Sequence, residues 1–164
     1  MKSYIYYIKT KYGYHTIEYN KDYILKINLF VPFNNINSHF IYTPWIKKLE
    51  KEIKEYFECK RKKFSEFPLY LNNLTKFEKD ILLTLKKIPF GEIISYKKLG
   101  EIAGYPNSAR AVGNVMKKNP FPLLIPCHRV IKSNGNIGNF SAGKYYKQLL
   151  LKIEGIKIKK AVIV

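Results

Sequence analysis

Apolar residues set two different rhythms along this chain. Between residues 2 and 9, and again between 23 and 31, runs rich in Tyr, Ile, Leu and Val are separated by Gly13 and by polar segments containing Asn. That pattern predicts strands joined by a turn. From residue 43 the period changes. Thr43-Pro44-Trp45 reads as a helix start with proline first, and Trp45, Leu49, Ile53, Tyr56 and Phe57 recur at helical spacing up to the basic cluster Lys60-Arg61-Lys62-Lys63. One amphipathic helix is expected to pack on an amino-terminal sheet, with the cluster as a solvated linker.

The stretch 64–73, with Pro68 and Asn72-Asn73, marks a boundary between halves. Thr75-Lys76-Phe77-Glu78 then fits a capping box with Leu74 as its staple residue, and Phe77, Ile81, Leu82, Leu85 and Ile88 line one helical face before Pro89 and Gly91. Two shorter helices follow, over Ser95 to Ala103 and Asn107 to Asn119. Ser95 and Asn107 or Ser108 serve as caps, Gly104 takes the left-handed position, and Leu99, Ile102, Val112, Val115 and Met116 face inward. This is a helix-turn-helix over about 95–118. The exposed side of its second helix carries Ala109, Ala111 and Gly113 around Arg110, with Lys117 and Lys118 at the end. Small residues around one large cation suit close approach to a groove and its phosphates, with little base readout. Tight packing on a neighbouring helix would ask for the same small residues.

Composition sharpens this. The chain has 164 residues, 46% of them hydrophobic, enough for one ordinary domain or two small ones. Its 30 basic against 12 acidic residues give a formal net charge of +18, which calls for a polyanionic partner, although an AT-rich genome would produce the same lysine-rich skew. No apolar run approaches the roughly 20 residues needed to span a bilayer, and Met1-Lys2-Ser3-Tyr4-Ile5 lacks a secretory pattern, so a cytoplasmic location is expected, or a nuclear one in a eukaryote, with no membrane partner. Of the two cysteines, Cys59 follows a helix end with no chemistry around it and reads as a packing or surface residue.

Cys127 is different. It lies in Asn119-Pro120-Phe121-Pro122-Leu123-Leu124-Ile125-Pro126-Cys127-His128-Arg129-Val130, between a proline-constrained approach and an apolar run. Adjacent imidazole and guanidinium groups are expected to lower the thiol's pKa and raise the attacking thiolate fraction, and the prolines to aim it.

Pro126-Cys127-His128-Arg129-Val130 resembles the active-site signature of the O6-alkylguanine-DNA alkyltransferases, also called methylated-DNA-protein-cysteine methyltransferases. Gly91-Glu92-Ile93-Ile94-Ser95-Tyr96, Ala109-Arg110-Ala111-Val112-Gly113, Asn119-Pro120, Gly138-Asn139-Phe140-Ser141 and Glu154-Gly155 are similar to the family's other blocks, in the same order. The likeness covers about residues 75 to 155. It implies an α+β fold. Residues 1–73 would form a small antiparallel sheet with a packed helix in a ribonuclease H-like layout, residues 74–155 a mostly helical, winged-helix-like domain for DNA binding and alkyl acceptance, and 156–164 a tail.

The resemblance further implies that Cys127 accepts the alkyl group, that His128 deprotonates it through a water, and that Glu154 orients and charges the imidazole. Tyr96 would give a proton to a guanine ring nitrogen, and the backbone N–H of Ser141 would meet O6. The carbonyls of Cys127 and Val130 would accept from the exocyclic amine. Arg110 would fill the space left by a base flipped through the minor groove, and Asn119 would be the hinge between the recognition helix and the active-site strand. Ser95, Ala109, Ala111, Gly113 and Asn114 complete the implied DNA contact. The family's usual Tyr before the Ser is Phe140 here, which keeps an aromatic wall and removes a hydroxyl. The implied partner is double-stranded DNA holding O6-alkylguanine, or less well O4-alkylthymine, bound by a monomer with little sequence preference. The implied enzyme needs no cofactor or metal and works once per molecule, because the thioether it forms has no means of release.

Three rivals are weighed against this. A binding-only relative would lack the acceptor Cys. A zinc site would have to draw on Cys59, Cys127 and two of His15, His39 and His128, without close ligand pairs other than Cys127-His128. A transcriptional regulator would read one operator through the helix-turn-helix.

Overall fold

Tyr14, His15, Thr16, Ile17, Glu18 and Tyr19 are a mixture of polar and apolar residues lying where a turn is expected, yet they form the middle of a sheet. The computed structural model describes residues 2–32 and 40–164. Strands β1 (Tyr4–Thr10), β2 (Gly13–Tyr19) and β3 (Ile24–Val31) form an antiparallel sheet in that order, so two expected strands are in fact three. A central strand hydrogen-bonds on both edges, and this lets β2 bury Thr16 and His15 along with Ile17 and Tyr19. Residues 68–70 add a bridge beyond β3, with Ile24 N–H donating to the Pro68 carbonyl at 2.7 Å and Tyr70 N–H to the Ile24 carbonyl at 2.9 Å.

Helix α1 (Ile46–Phe57) buries Ile46, Leu49, Ile53, Tyr56 and Phe57. It starts after Trp45, because Thr43, Pro44 and Trp45 form a turn in which the Ile46 N–H reaches the Thr43 carbonyl. The basic cluster behind α1 is mostly exposed, as expected of a solvated segment, with ion pairs at its first two residues. Arg61 donates to Glu55 at 2.8 Å and lies 3.6 Å from the buried Glu52, and Lys60 pairs with Glu58 at 2.6 Å. Cys59 is exposed, as expected.

His15 gives this first unit a pH response. Its Nδ1 accepts from the Phe30 N–H at 3.2 Å, so Nε2 carries the proton toward Thr10 Oγ1, 3.0 Å away, and the ring stacks on Phe57. Burial lowers its pKa from 6.5 to about 4. The unfolded chain takes up this proton below about pH 6.5, and the folded ring resists it until about 4. Stability is therefore lost as pH falls across that window, by roughly 3 kcal/mol in full. Urea unfolding of the full chain between pH 6.5 and 5 should show this slope, and His15→Gln should flatten it. An unchanged slope would remove His15 as its source.

The chain divides into two compact units, residues 1–70 and 71–164. In the second, α2 (Lys76–Leu85) opens on the expected capping box, with the Thr75 side chain accepting from the Glu78 N–H and the Glu78 carboxylate from the Thr75 N–H. Strand β4 (Ile94–Ser95) leads into α3 (Tyr96–Ile102), capped by Ser95, and α4 (Ala109–Lys118) follows after Gly104 in the left-handed region at φ 88°. Two details differ from expectation. Ser108 stands at the start of α4, but its hydroxyl donates to the Tyr105 carbonyl and caps nothing, while Asn107 takes a positive φ of 61°. Ile102 is 56% exposed, because the inward face of α3 is centred between Leu99 and Gly100, roughly a third of a turn away.

Strand β5 (Val130–Ile131) pairs in parallel with β4, Ile94 opposite Val130 and Ser95 opposite Ile131. Helix α5 (Lys144–Ile153) ends on Glu154. No helix among the described residues is long and apolar enough to cross a membrane.

Candidate active site

The β4–β5 pairing carries the site. Tyr96 immediately follows β4, and the one-turn 3-10 helix Cys127–Arg129 immediately precedes β5, so two backbone hydrogen-bonded strands fix a phenol and a thiol around one pocket. That pocket is a cavity of about 600 Å³ lined by residues of α3, α4, the Cys127 turn and the segment 138–141. Tyr96, Ala109, Arg110, Gly113, Asn114, Cys127, Phe140 and Ser141 all reach it. His128, Glu154, Asn119 and Val130 lie behind it, and Ser95 and Ala111 line no part of it. Gly113 and Gly138 explain two of the small residues. The Tyr96 ring passes 4.0 Å from where a Cβ on Gly113 would stand. A Cβ on Gly138, whose φ is 73°, would come 3.1 Å from the Tyr96 hydroxyl.

Asn119 ends α4 and fastens the approach to the thiol. Its Nδ2 donates to the Ile125 carbonyl at 2.8 Å, and its Oδ1 accepts from the Phe121 N–H at 3.0 Å. The Cys127 N–H returns to the Ile125 carbonyl at 2.9 Å, which closes the turn after Pro126.

Cys127 is 3% exposed, and burial pushes its thiol up from the ordinary value, against the opposing pull of the Asn119 side chain and the Lys147 ammonium. This reverses the expectation that its neighbours lower it, because burial destabilises the thiolate and Arg129 is engaged elsewhere. Arg129 donates through Nε to Glu154 Oε2 at 2.8 Å and through Nη2 to Oε1 at 2.9 Å, while Nη1 reaches the Ile88 carbonyl. Glu154 also takes His128 Nε2 at 2.6 Å and the Gly91 N–H at 3.1 Å. Burial would raise the Glu154 carboxyl, but His128 and Arg129 hold it well below the usual carboxylate range. For His128 burial outweighs the carboxylate, so its pKa lies below the ordinary value and the ring is neutral at neutral pH. The site at rest is a protonated thiol beside a neutral imidazole backed by a fixed carboxylate. It can take a proton from sulfur without first losing one.

Two further residues belong here, Lys147, which the sequence did not single out, and Arg129, expected to act on the thiol. Arg129 holds Glu154. Lys147, on α5, is 1% exposed, donates to the Val130 carbonyl at 2.6 Å, and lies 5.8 Å over the Tyr96 ring. The Val130 carbonyl expected to receive a base amine thus already accepts from Lys147. Lys147, Leu150, Leu151 and Glu154 follow the helical i, i+3, i+4, i+7 stripe, so a lysine and a glutamate on an apolar stripe was the available signal. Burial lowers Lys147 to about 8, and the charge it keeps at pH 7 favours the Cys127 thiolate. Lys147→Met keeps the stem and removes the charge, and it should raise the Cys127 pKa and slow its alkylation at pH 7 by about tenfold. Rates with a small alkylating reagent across pH measure this; an unchanged thiol titration would exclude the charge effect.

Among the described residues no three His, Cys, Asp or Glu side chains gather into a metal cluster, and His39 lies outside them.

Residues 76–156 match the family described as 6-O-methylguanine DNA methyltransferase, DNA binding domain. The methylated-DNA–protein-cysteine methyltransferase of Metallosphaera sedula is 41% identical over 111 residues, covering 68% of this chain and 69% of that one. The human protein of the same name is 53% identical over 76 residues, but the match spans only 37% of its length, little more than a third. In three dimensions the fold is similar to that of Mycobacterium tuberculosis OGT in complex with DNA, with a TM-score of 0.79, 26% identity and 92% of each chain covered. With the Cys127 thiol lining the pocket and the His128 imidazole and Glu154 carboxylate paired behind it, the chain belongs to the methylated-DNA–protein-cysteine methyltransferase family.

Proposed function

We propose that the protein repairs DNA by moving an alkyl group from O6 of guanine, and less well from O4 of thymine, onto Cys127, once per molecule. The observation that carries this is the cavity of about 600 Å³ that reaches Cys127, with Arg110 and the small residues of α4 along it. A nucleophile 3% exposed inside a pocket cannot reach a base still stacked in a duplex, so the nucleotide must be flipped into it. Arg110, exposed on α4, enters the minor groove and fills the vacated stack, while Ala109, Ala111, Gly113, Asn114 and Ser95 meet the backbone.

From behind the pocket His128 takes the Cys127 proton through a water, and Glu154 stabilises the imidazolium that forms. Sulfur attacks the alkyl carbon as the C–O6 bond breaks. Burial, and then the nearby Cys127 charge, raise the Tyr96 pKa, so its hydroxyl stays protonated and donates to the guanine ring nitrogen. The Ser141 N–H meets O6. The Cys127 and Val130 carbonyls receive the exocyclic amine, Val130 through the lone pair that Lys147 leaves unused. Phe140 supplies an apolar wall.

The first unit is read as ribonuclease H-like and the second as a winged helix-turn-helix, in a protein proposed to work as a cytoplasmic or nuclear monomer. The test mixes the full chain with a duplex holding O6-methylguanine and maps the protein's peptides by mass. One methyl on Cys127 is expected; none, or methyl on Cys59, overturns the reading. Arg110→Ala should slow repair of duplex by about a hundredfold and leave transfer from the free base nearly unchanged. Equal slowing of both would remove its role in flipping.

A further inference from the structure

The family match ends at residue 156, but the chain does not trail away there as a tail. Strands β6 (Ile158–Lys159) and β7 (Val162–Ile163) form a hairpin, Ile158 opposite Ile163 and Lys159 opposite Val162. Its two turn residues, Lys160 and Ala161, stand at φ 47° and 63°, the geometry of a tight type I′ turn without its usual glycine.

The outer edge of β7 is occupied by the segment 135–137. The Ile163 N–H donates to the Gly135 carbonyl and the Ile137 N–H to the Ala161 carbonyl, both at 3.0 Å, with Asn136 bridged to Val162. On its other side this segment holds the Lys132 N–H through the Asn136 carbonyl at 2.8 Å. Ile137, fully buried, immediately precedes Gly138, whose own N–H is held by Asn136 Oδ1 at 2.9 Å. The pocket wall 138–141 therefore hangs from a ladder whose outermost strands are the carboxy-terminal hairpin. Opposite the wall stands Tyr96, whose hydroxyl would lie 3.1 Å from a Cβ at Gly138, a contact tight enough that one side would have to shift.

We propose that the hairpin at residues 158–163 is a positioning element for the substrate pocket, bracing segment 135–137 so that wall 138–141 keeps a fixed separation from Tyr96. No residue of 157–164 lines the cavity, so the hairpin acts through the ladder and not by contact with the base. The inference rests on the alkyl-transfer reading of that pocket. A slot with so little slack loses rate when its wall moves by a fraction of an ångström, because attack at saturated carbon needs sulfur, carbon and oxygen in line. The hairpin is also adjustable, since two non-glycine residues in the left-handed region make its turn less stable than it could be.

Two substitutions in the full chain move the brace in opposite directions. Ile163→Pro removes the N–H given to Gly135. Ala161→Gly relieves the left-handed turn. Three quantities are read: amide exchange at Ile137 and Gly138, the saturating single-turnover rate with O6-methylguanine duplex, and affinity for unmodified duplex. Ile163→Pro should speed exchange at Ile137 and slow transfer by about tenfold each, with duplex affinity within about twofold. Ala161→Gly should slow the exchange and leave transfer at least as fast. The proposal is overturned by unchanged exchange, by faster exchange with undiminished transfer, or by duplex affinity falling in step with transfer. If the unsubstituted chain moves no methyl at all, the alkyl-transfer reading fails by itself, and exchange at Ile137 and Gly138 then decides whether the hairpin braces the wall.

Discussion

Cys127→Ala should abolish methyl transfer from an O6-methylguanine duplex, by at least about a thousandfold, while the protein folds and still binds duplex DNA. The loss is large because Cys127 supplies the thiol that lines the pocket, and the amines and hydroxyls lining it are far weaker acceptors at neutral pH. His128 lies behind the cavity with Nε2 on Glu154, Lys147 holds its proton near pH 7 and is tied to the Val130 carbonyl, and Cys59 is in the other unit. Removing one sulfur from a buried turn costs roughly 1–2 kcal/mol of packing, less than a typical domain's stability. The turn itself is held by backbone bonds and by Asn119, which do not need the thiol. Single-turnover transfer, circular dichroism and duplex binding would be measured together. Methyl transfer that survives the substitution would sink the assignment of the acceptor, whereas loss of duplex binding would show that Cys127 is needed for more than chemistry.

Glu154→Gln is expected to do two kinds of damage at once. The carboxylate is fully buried and faces His128, Nε and Nη2 of Arg129, and the Gly91 N–H. An amide cannot balance the Arg129 charge and presents a donor where acceptors are required, so a buried cation is left without its counter-charge. Breaking such a pair costs about 3–5 kcal/mol, which should lower the melting temperature of the 164-residue chain by roughly 6–20 °C. The rate should fall by at least about a hundredfold, because the imidazole loses the partner that fixes its orientation and stabilises its protonated form.

The pH profile separates these effects. His128 lies below its ordinary pKa because burial exceeds the raising influence of Glu154. Without that carboxylate its pKa should fall further, moving the acid limb of the rate profile to lower pH, whereas simple unfolding would lower the rate at every pH together. A Gln variant that transfers methyl within about threefold of the original protein would exclude the proposed relay.

The sequence by itself determined what depends on neighbours along the chain. The Thr75–Glu78 box, the Ser95 cap, the left-handed Gly104 and the helical phase of α1 and α4 are set within one or two turns, so their signals are contiguous. The nucleophile was legible for the same reason, since Cys127, His128 and Arg129 are adjacent. Only the tertiary structure decided which groups lose water and which distant partner they meet. Strand β2 was missed because its burial comes from strands on both sides and its own polar residues give no alternation. Ile102 was misplaced because helical phase alone does not say which face meets α4. Arg129 is expected from its position to act on Cys127 and Lys147 carries no local signal, but folding pairs Arg129 with Glu154, 25 residues away, and Lys147 with the Val130 carbonyl. The direction of the Cys127 shift turned on the same physics. Adjacent positive groups in sequence favour a thiolate, but desolvation exceeds them when Arg129 is already neutralised, and desolvation is a property of the folded surface that no local pattern encodes.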